Sequence, residues 1–120
     1  MSRIERGRLG ESLAEKHLEG LGYTIIARNY RCSLGELDLV GRDGPCWVFV
    51  EVKTRRSTRC GVGAEAVTAR KQERLIRLAQ FFLSRHELGD AACRFDVVDV
   101  RLRQSEAPTI RHFRGAFEGS

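Results

Sequence analysis

Between Gly35 and Lys53 two runs of strand-forming residues, Glu36-Leu37-Asp38-Leu39-Val40 and Trp47-Val48-Phe49-Val50-Glu51-Val52-Lys53, flank a turn at Asp43-Gly44-Pro45. Val, Leu, Phe and Trp at this density mark a hairpin at the centre of a small sheet. Two carboxylates and an amine interrupt it. Burying one ion costs on the order of several kcal/mol unless it is paired or binds a metal. The hairpin therefore holds either a buried ion-pair cluster or an active site.

Side-chain parity narrows the arrangement, because alternate residues of a strand share a face. Glu36, Asp38 and Val40 fall on one side of the first strand, and Leu37 and Leu39 on the other. In the second strand Trp47, Phe49, Glu51 and Lys53 share a face opposite Val48, Val50 and Val52. A register with Asp38 opposite Glu51 brings Val40 to Phe49 and Glu36 towards Lys53. It leaves Leu37, Leu39 and the three valines as an apolar back face.

With 120 residues the chain is expected to form one domain, 1–120, with a real core. No apolar run is long enough for a membrane span, and Met1-Ser2-Arg3-Ile4-Glu5-Arg6 does not read as a secretory signal. Cys32, Cys46, Cys60 and Cys93 form no CxxC pair and read as reduced thiols of a cytoplasmic protein. His17, His86 and His112 lack metal-ligand spacing and read as surface or packing residues. A net charge of +5 favours a polyanionic partner.

The helical period of Leu9, Leu13, Ala14, Leu18 and Leu21 gives a first helix over about 7–21, closed by Gly20 and Gly22. Glu11 borders its buried stripe and reads, on periodicity, as a carboxylate serving the helix dipole. A strand over about 23–28 leads into the hairpin. Arg55 to Gly63 reads as a basic, glycine-containing loop. A second helix follows, from Ala66 or Thr68 to Glu87, with a stripe of Leu75, Ile76, Leu78, Ala79, Phe82 and Leu83, and Gly89 as its stop. Strands over 94–102 and 109–113 complete the chain. Helices punctuating strands apolar on both faces give an α/β layered domain with a mixed central sheet.

Asp38, Glu51 and Lys53 are the candidates to carry chemistry. Carboxylate oxygens are hard ligands suited to Mg²⁺ or Mn²⁺, and an ammonium on the same face can act on a water or stabilise phosphorane-like charge. The other reading is a structural cluster in which Lys53 neutralises Glu36 or Glu51. On the residues alone both stand. Arg55, Arg56, Arg59 and the helix run Arg70, Lys71 and Arg74 are candidate phosphate contacts, with a solvated helix face the favoured reading for Arg74 and Arg77. Asp96, on the face of Val98 and Val100, reads as structural.

The ordered series Gly10-Glu11 with Ala14, Gly22-Tyr23, Arg28-Asn29, Gly35 to Val40, Val48 to Arg55, Phe95 to Val98 and Ile110 to Phe117 resembles the YraN family of small bacterial proteins. That family is placed in the restriction-endonuclease-like PD-(D/E)XK superfamily and is similar to archaeal-type Holliday junction resolvases. The resemblance implies an αβββαβ core with a mixed sheet flanked by helices, divalent-metal chemistry with Mg²⁺ or Mn²⁺, and a nucleic-acid substrate, DNA. It makes Asp38, Glu51 and Lys53 the catalytic motif. It also turns Glu11 into a third metal ligand beside Asp38 and Glu51, and puts Lys71 at a supporting position. The expectation is a metal-dependent endonuclease acting on branched or structured DNA, without membrane association, with a homodimer as the arrangement that cuts two strands. The alternatives are a nucleic-acid-binding module that keeps the fold but cleaves nothing, and an interaction domain with a purely structural acidic cluster.

Overall fold

The computed structural model describes residues 1–56 and 67–118. Helix α1 spans Arg3–Gly20 and starts at Ser2, whose Oγ accepts from the Glu5 amide while Glu5 Oε1 accepts from the Ser2 amide. This reciprocal capping box sets the helix start several residues earlier than the apolar period alone suggests. The buried stripe is Gly10, Ala14 and Leu18, whereas Leu9 and Leu21 are exposed. Small residues set the rotation of this helix, because they let α1 lie close on the sheet.

The tightest approach is at Gly10, where an added methyl would overlap the Thr54 side chain. Gly10→Ala is expected to destabilise the fold by about 1–3 kcal/mol through overpacking. Gly7→Ala, where a methyl meets nothing within 4 Å, is expected to be neutral or to stabilise by up to about 1 kcal/mol through helix propensity. Urea midpoints of the two variants check this, and equal midpoints would contradict the close approach.

Strands β1 (Thr24–Cys32), β2 (Gly35–Asp43) and β3 (Cys46–Arg56) form an antiparallel meander. Helix α2 (Ala69–Arg85) then crosses over, so that β4 (Cys93–Leu102) lies parallel to β3, and β5 (Thr109–Phe117) closes the sheet antiparallel to β4. The order is β1-β2-β3-β4-β5. Covered on both faces, β3 and β4 read as nearly continuous apolar runs. Ala14, Leu18, Leu39, Val48, Val50, Val98 and Val100 pack under α1. Phe49, Phe95 and Val97 pack with Leu75, Leu78, Ala79, Phe82 and Leu83 of α2.

Leu37 departs from strand parity. It packs with Val40 under α2, while Leu39 packs under α1. Across the ladder sits Asn29, between the pairs Arg28–Leu39 and Tyr30–Leu37, with φ 48°. A left-handed residue inside a strand breaks the pleat, and the alternation of β2 fails at the same level.

Two ends also differ from expectation. Helix α2 ends at Arg85 rather than Glu87, and its stop is not Gly89: Glu87, at φ 56°, takes the left-handed position, and the Leu88 amide donates to the Leu83 carbonyl over 2.7 Å. Strand β5 continues past Phe113 because buried Asp96, opposite a bulge in β5, accepts from the Gly115 amide over 3.0 Å. Pairing then resumes at Phe95–Phe117. No described helix is long and apolar enough to cross a membrane.

Candidate metal and phosphate site

The β2–β3 ladder runs from Asp43–Cys46 through Val40–Phe49 to Leu39–Val50 and stops there, although both strands continue. The Val40–Phe49 pairing is the one parity suggests, and Asp38 and Glu51 are the next step along. Instead of a backbone bond, Asp38 Oδ2 accepts from the Val52 amide over 2.8 Å. The carboxyl thus satisfies a donor that the opened ladder leaves without a strand partner.

Burial pushes the Asp38 carboxyl up, the facing charge of Glu51 pushes it further, and Glu11 adds to both, so that its pKa stands at about 7. The Val52 hydrogen bond opposes this and does not outweigh it. Glu51 is 7% exposed. Its Oε2 receives the Lys71 ammonium and, at 3.5 Å, that of Lys53. Burial lowers the pKa of Lys53, and the neighbouring Lys71 lowers it further against the pull of Glu51. Burial also acts downwards on Lys71, but Glu51, Lys53 and Asp38 together hold it above its ordinary value.

Asp38, Glu51 and Lys71 border a cleft of about 220 Å³ that Gly35, Glu36, Arg74 and Leu78 help to line. Arg74, three residues after Lys71, stands in this cleft, not merely on a solvated face. The helical spacing of three carries that signal, because Lys71 and Arg74 share a side of α2.

The remaining expected residues are distributed as follows. Glu11, on α1, accepts from Asn29 Nδ2 over 3.0 Å, and the same amide reaches Glu36 Oε2 at 2.9 Å. Glu36 therefore turns to Asn29 and Arg31, not to Lys53, because the ladder has opened before its level. Arg55 and Arg56 belong to β3, not to a loop, and they diverge. Arg55 Nε lies 3.8 Å from the buried Asp99, whereas Arg56 is exposed beside Arg6 and Arg103 in a separate open cleft. Arg70 is exposed in the first turn of α2. Arg59 lies outside the described residues.

Asp96 provides an internal contrast. It is 1% exposed and accepts from His112 Nε2, Arg94 Nε, Tyr23 Oη and the Gly115 amide. Burial acts upwards on this carboxyl, but the bonds from His112 and Arg94 prevail and hold its pKa below the usual range. Asp96 is a satisfied structural carboxylate. Asp38 is the opposite case, a carboxyl that its surroundings drive towards neutrality.

Among the described residues no three His, Cys, Asp or Glu side chains stand close enough to form a ready cation cage. The donor chemistry of Asp38 and Glu51 nonetheless fits a hard divalent cation. A half-buried and a buried carboxylate face each other, their oxygens suit such an ion, and a positive charge between them relieves the repulsion that adds to burial in raising Asp38. Glu11 bears on Asp38 electrostatically.

Element order, the parallel crossover through α2 and the mixed five-stranded sheet define an α/β protein with a restriction-endonuclease-like core. The chain belongs to the family described as "Uncharacterised protein family UPF0102", whose model matches residues 10–100, and this is the YraN-like family its motifs resemble. A UPF0102 protein of Acidothermus cellulolyticus is 49% identical, over 97% of this chain and 96% of its own length. One of Mycolicibacterium vanbaalenii is 48% identical, over 95% of this chain and 94% of its own. One of Moorella thermoacetica is 46% identical, over 98% of each.

Proposed function

We propose that this protein is a divalent-metal-dependent endonuclease that hydrolyses phosphodiester bonds in branched or structured DNA. The observation that carries the reading is the placement of the Asp38 and Glu51 carboxylates together at the edge of one cleft, where burial and Glu51 push the Asp38 carboxyl up. A purely structural cluster relaxes towards satisfied charges, as Asp96 does. A carboxyl pushed towards neutrality by burial and by a second carboxylate is an arrangement suited to a cation.

Asp38, Glu51 and Glu11 would hold Mg²⁺ or Mn²⁺, which when bound neutralises charge on the scissile phosphate and acidifies a water. Lys53, its pKa lowered by burial, is suited to take a proton from the attacking water at a pH nearer neutrality than a free lysine. Lys71 orients Glu51 through their ion pair. Arg74 at the cleft and Arg70 a turn earlier meet phosphate oxygens, with Arg55, Arg56 and Arg59 as further backbone contacts. Two strands of a junction need two such sites, so the active form is a symmetric pair. The cytoplasm is its compartment, in keeping with the free thiols of Cys32, Cys46 and Cys93.

A second reading, a nucleic-acid-binding module without cleavage, draws on the pairing of Glu51 with two ammoniums. Incubation of the protein with Mg²⁺ or Mn²⁺ and four-way junction, single-stranded, duplex and RNA substrates separates the two. Metal-dependent cutting of the junction, lost in Asp38→Asn and Glu51→Gln, is the expected result. Salt-sensitive binding with no cutting would establish the module instead. No binding at low salt would overturn both.

A further inference from the structure

Asn29 combines an unusual backbone conformation with two carboxylate partners. It is one of two non-glycine residues with positive φ among those described, at 48°, and it lies inside β1 at the level of Asp38. Asparagine tolerates this conformation better than most L residues, but glycine adopts it at lower cost. The backbone alone therefore does not call for an asparagine.

The side chain does. An amide NH₂ has two donors, and both are spent on carboxylates from different elements: Glu11 of α1 at 3.0 Å and Glu36 of β2 at 2.9 Å. Arg31 holds Glu36 from its other side at 3.5 Å. The left-handed kink turns the amide towards the gap between helix and sheet, where Glu11 bears on Asp38. Without the amide, the Glu11 carboxylate would stand near Glu36 and towards Asp38 with nothing to fix its direction.

We propose that Asn29 is a positioning residue whose side-chain amide sets the Glu11 carboxylate beside Asp38 and Glu51, so that the three together hold a divalent cation. This rests on the reading of the site as a metal-dependent nuclease centre. Partners that orient metal ligands contribute about ten- to a hundredfold in affinity, and Asn29 is such a partner for the one ligand delivered by a helix.

Calorimetric titration of the full chain with Mn²⁺ alone tests this, using wild type, Asn29→Gly, Glu11→Gln, the double variant and Asp38→Asn. Glycine keeps the left-handed backbone and removes only the amide. The expected result is Mn²⁺ binding about ten- to a hundredfold weaker in Asn29→Gly, with the metal-free melting temperature no lower than wild type. Adding Glu11→Gln is expected to cost nothing further, because Asn29 acts through Glu11. Wild-type affinity in Asn29→Gly, with binding lost in Asp38→Asn, would overturn the role of Asn29 and leave the metal site standing. A fall in affinity matched by a fall in melting temperature would make Asn29 merely structural. Failure of the wild-type protein to bind Mn²⁺ would overturn both the inference and the reading beneath it.

Discussion

Asp38→Asn is expected to melt above the wild-type protein at about pH 8 in the absence of metal, while losing metal-dependent cleavage. The Asp38 carboxyl rises from an ordinary 3.8 to about 7 in the folded protein. Between those values the folded state binds more protons than the unfolded one, so stability falls as pH rises through the window and levels off above it. At about pH 8 the ionised carboxylate costs the fold on the order of a few kcal/mol. Asparagine removes that charge and keeps an oxygen for the Val52 amide. Near pH 4 wild-type Asp38 is neutral too, and the two proteins are expected to converge. The comparison as a difference matters, because other groups titrate in the window. Burial lowers the pKa of His17, with His112 acting in the same direction, which takes stability away as pH falls. That contribution is common to both proteins and cancels. Denaturant midpoints at several pH values check the result, and a variant less stable than wild type at about pH 8 would make Asp38 a structural partner.

Glu51→Gln is expected to act the other way. Glu51 is the only side chain bridging Lys53 and Lys71 through one oxygen among the described residues. Removing its charge leaves two half-buried ammoniums facing each other, and Lys53 is already lowered by Lys71. Breaking a buried pair by removing one partner costs about 3–5 kcal/mol. The lysine side chains are 23% and 28% exposed, so part of that loss is recovered by water and the low end of the range is expected. The penalty is expected to shrink at alkaline pH as Lys53 gives up its proton. Urea unfolding at neutral and alkaline pH measures both effects. Two adjacent carboxylates would then respond with opposite signs to the same chemical change. A symmetric structural pair would lose stability with either substitution.

The order of elements was legible because each helix carries its own period and because β3 and β4 are apolar on both faces, which only a sheet covered on two sides explains. Parity brought Asp38 and Glu51 to neighbouring levels from one-dimensional information. It failed at Leu37 and Glu36, where the ladder opens and the kink at Asn29 breaks the alternation. Neither event has a signal in hydrophobic period. The rotation of α1 was misjudged because large apolar residues dominate a periodicity, whereas Gly10 sets the contact with Thr54. Lys71 and Arg74 enter the site from an element far along the chain. Their spacing showed that they share a helix side, but not that the side faces Glu51. Glu11 is the converse case: periodicity read it as a dipole carboxylate, the family resemblance as a ligand, and its bond to Asn29 ties it to the sheet.

The most direct test is the rate at which a labelled four-way junction is cut in Mg²⁺ by wild-type and Asp38→Asn protein, with junction binding measured alongside. The wild-type protein is expected to nick the junction only with metal present. Asp38→Asn, folded and binding the junction with the same salt dependence, is expected to cut at least about a hundredfold more slowly, the scale of losing a group that acts in the transition state. Cutting by Asp38→Asn at the wild-type rate, or wild-type cutting unaffected by chelation of the metal, would contradict the assignment of the Asp38–Glu51 pair as the centre of a metal-dependent nuclease.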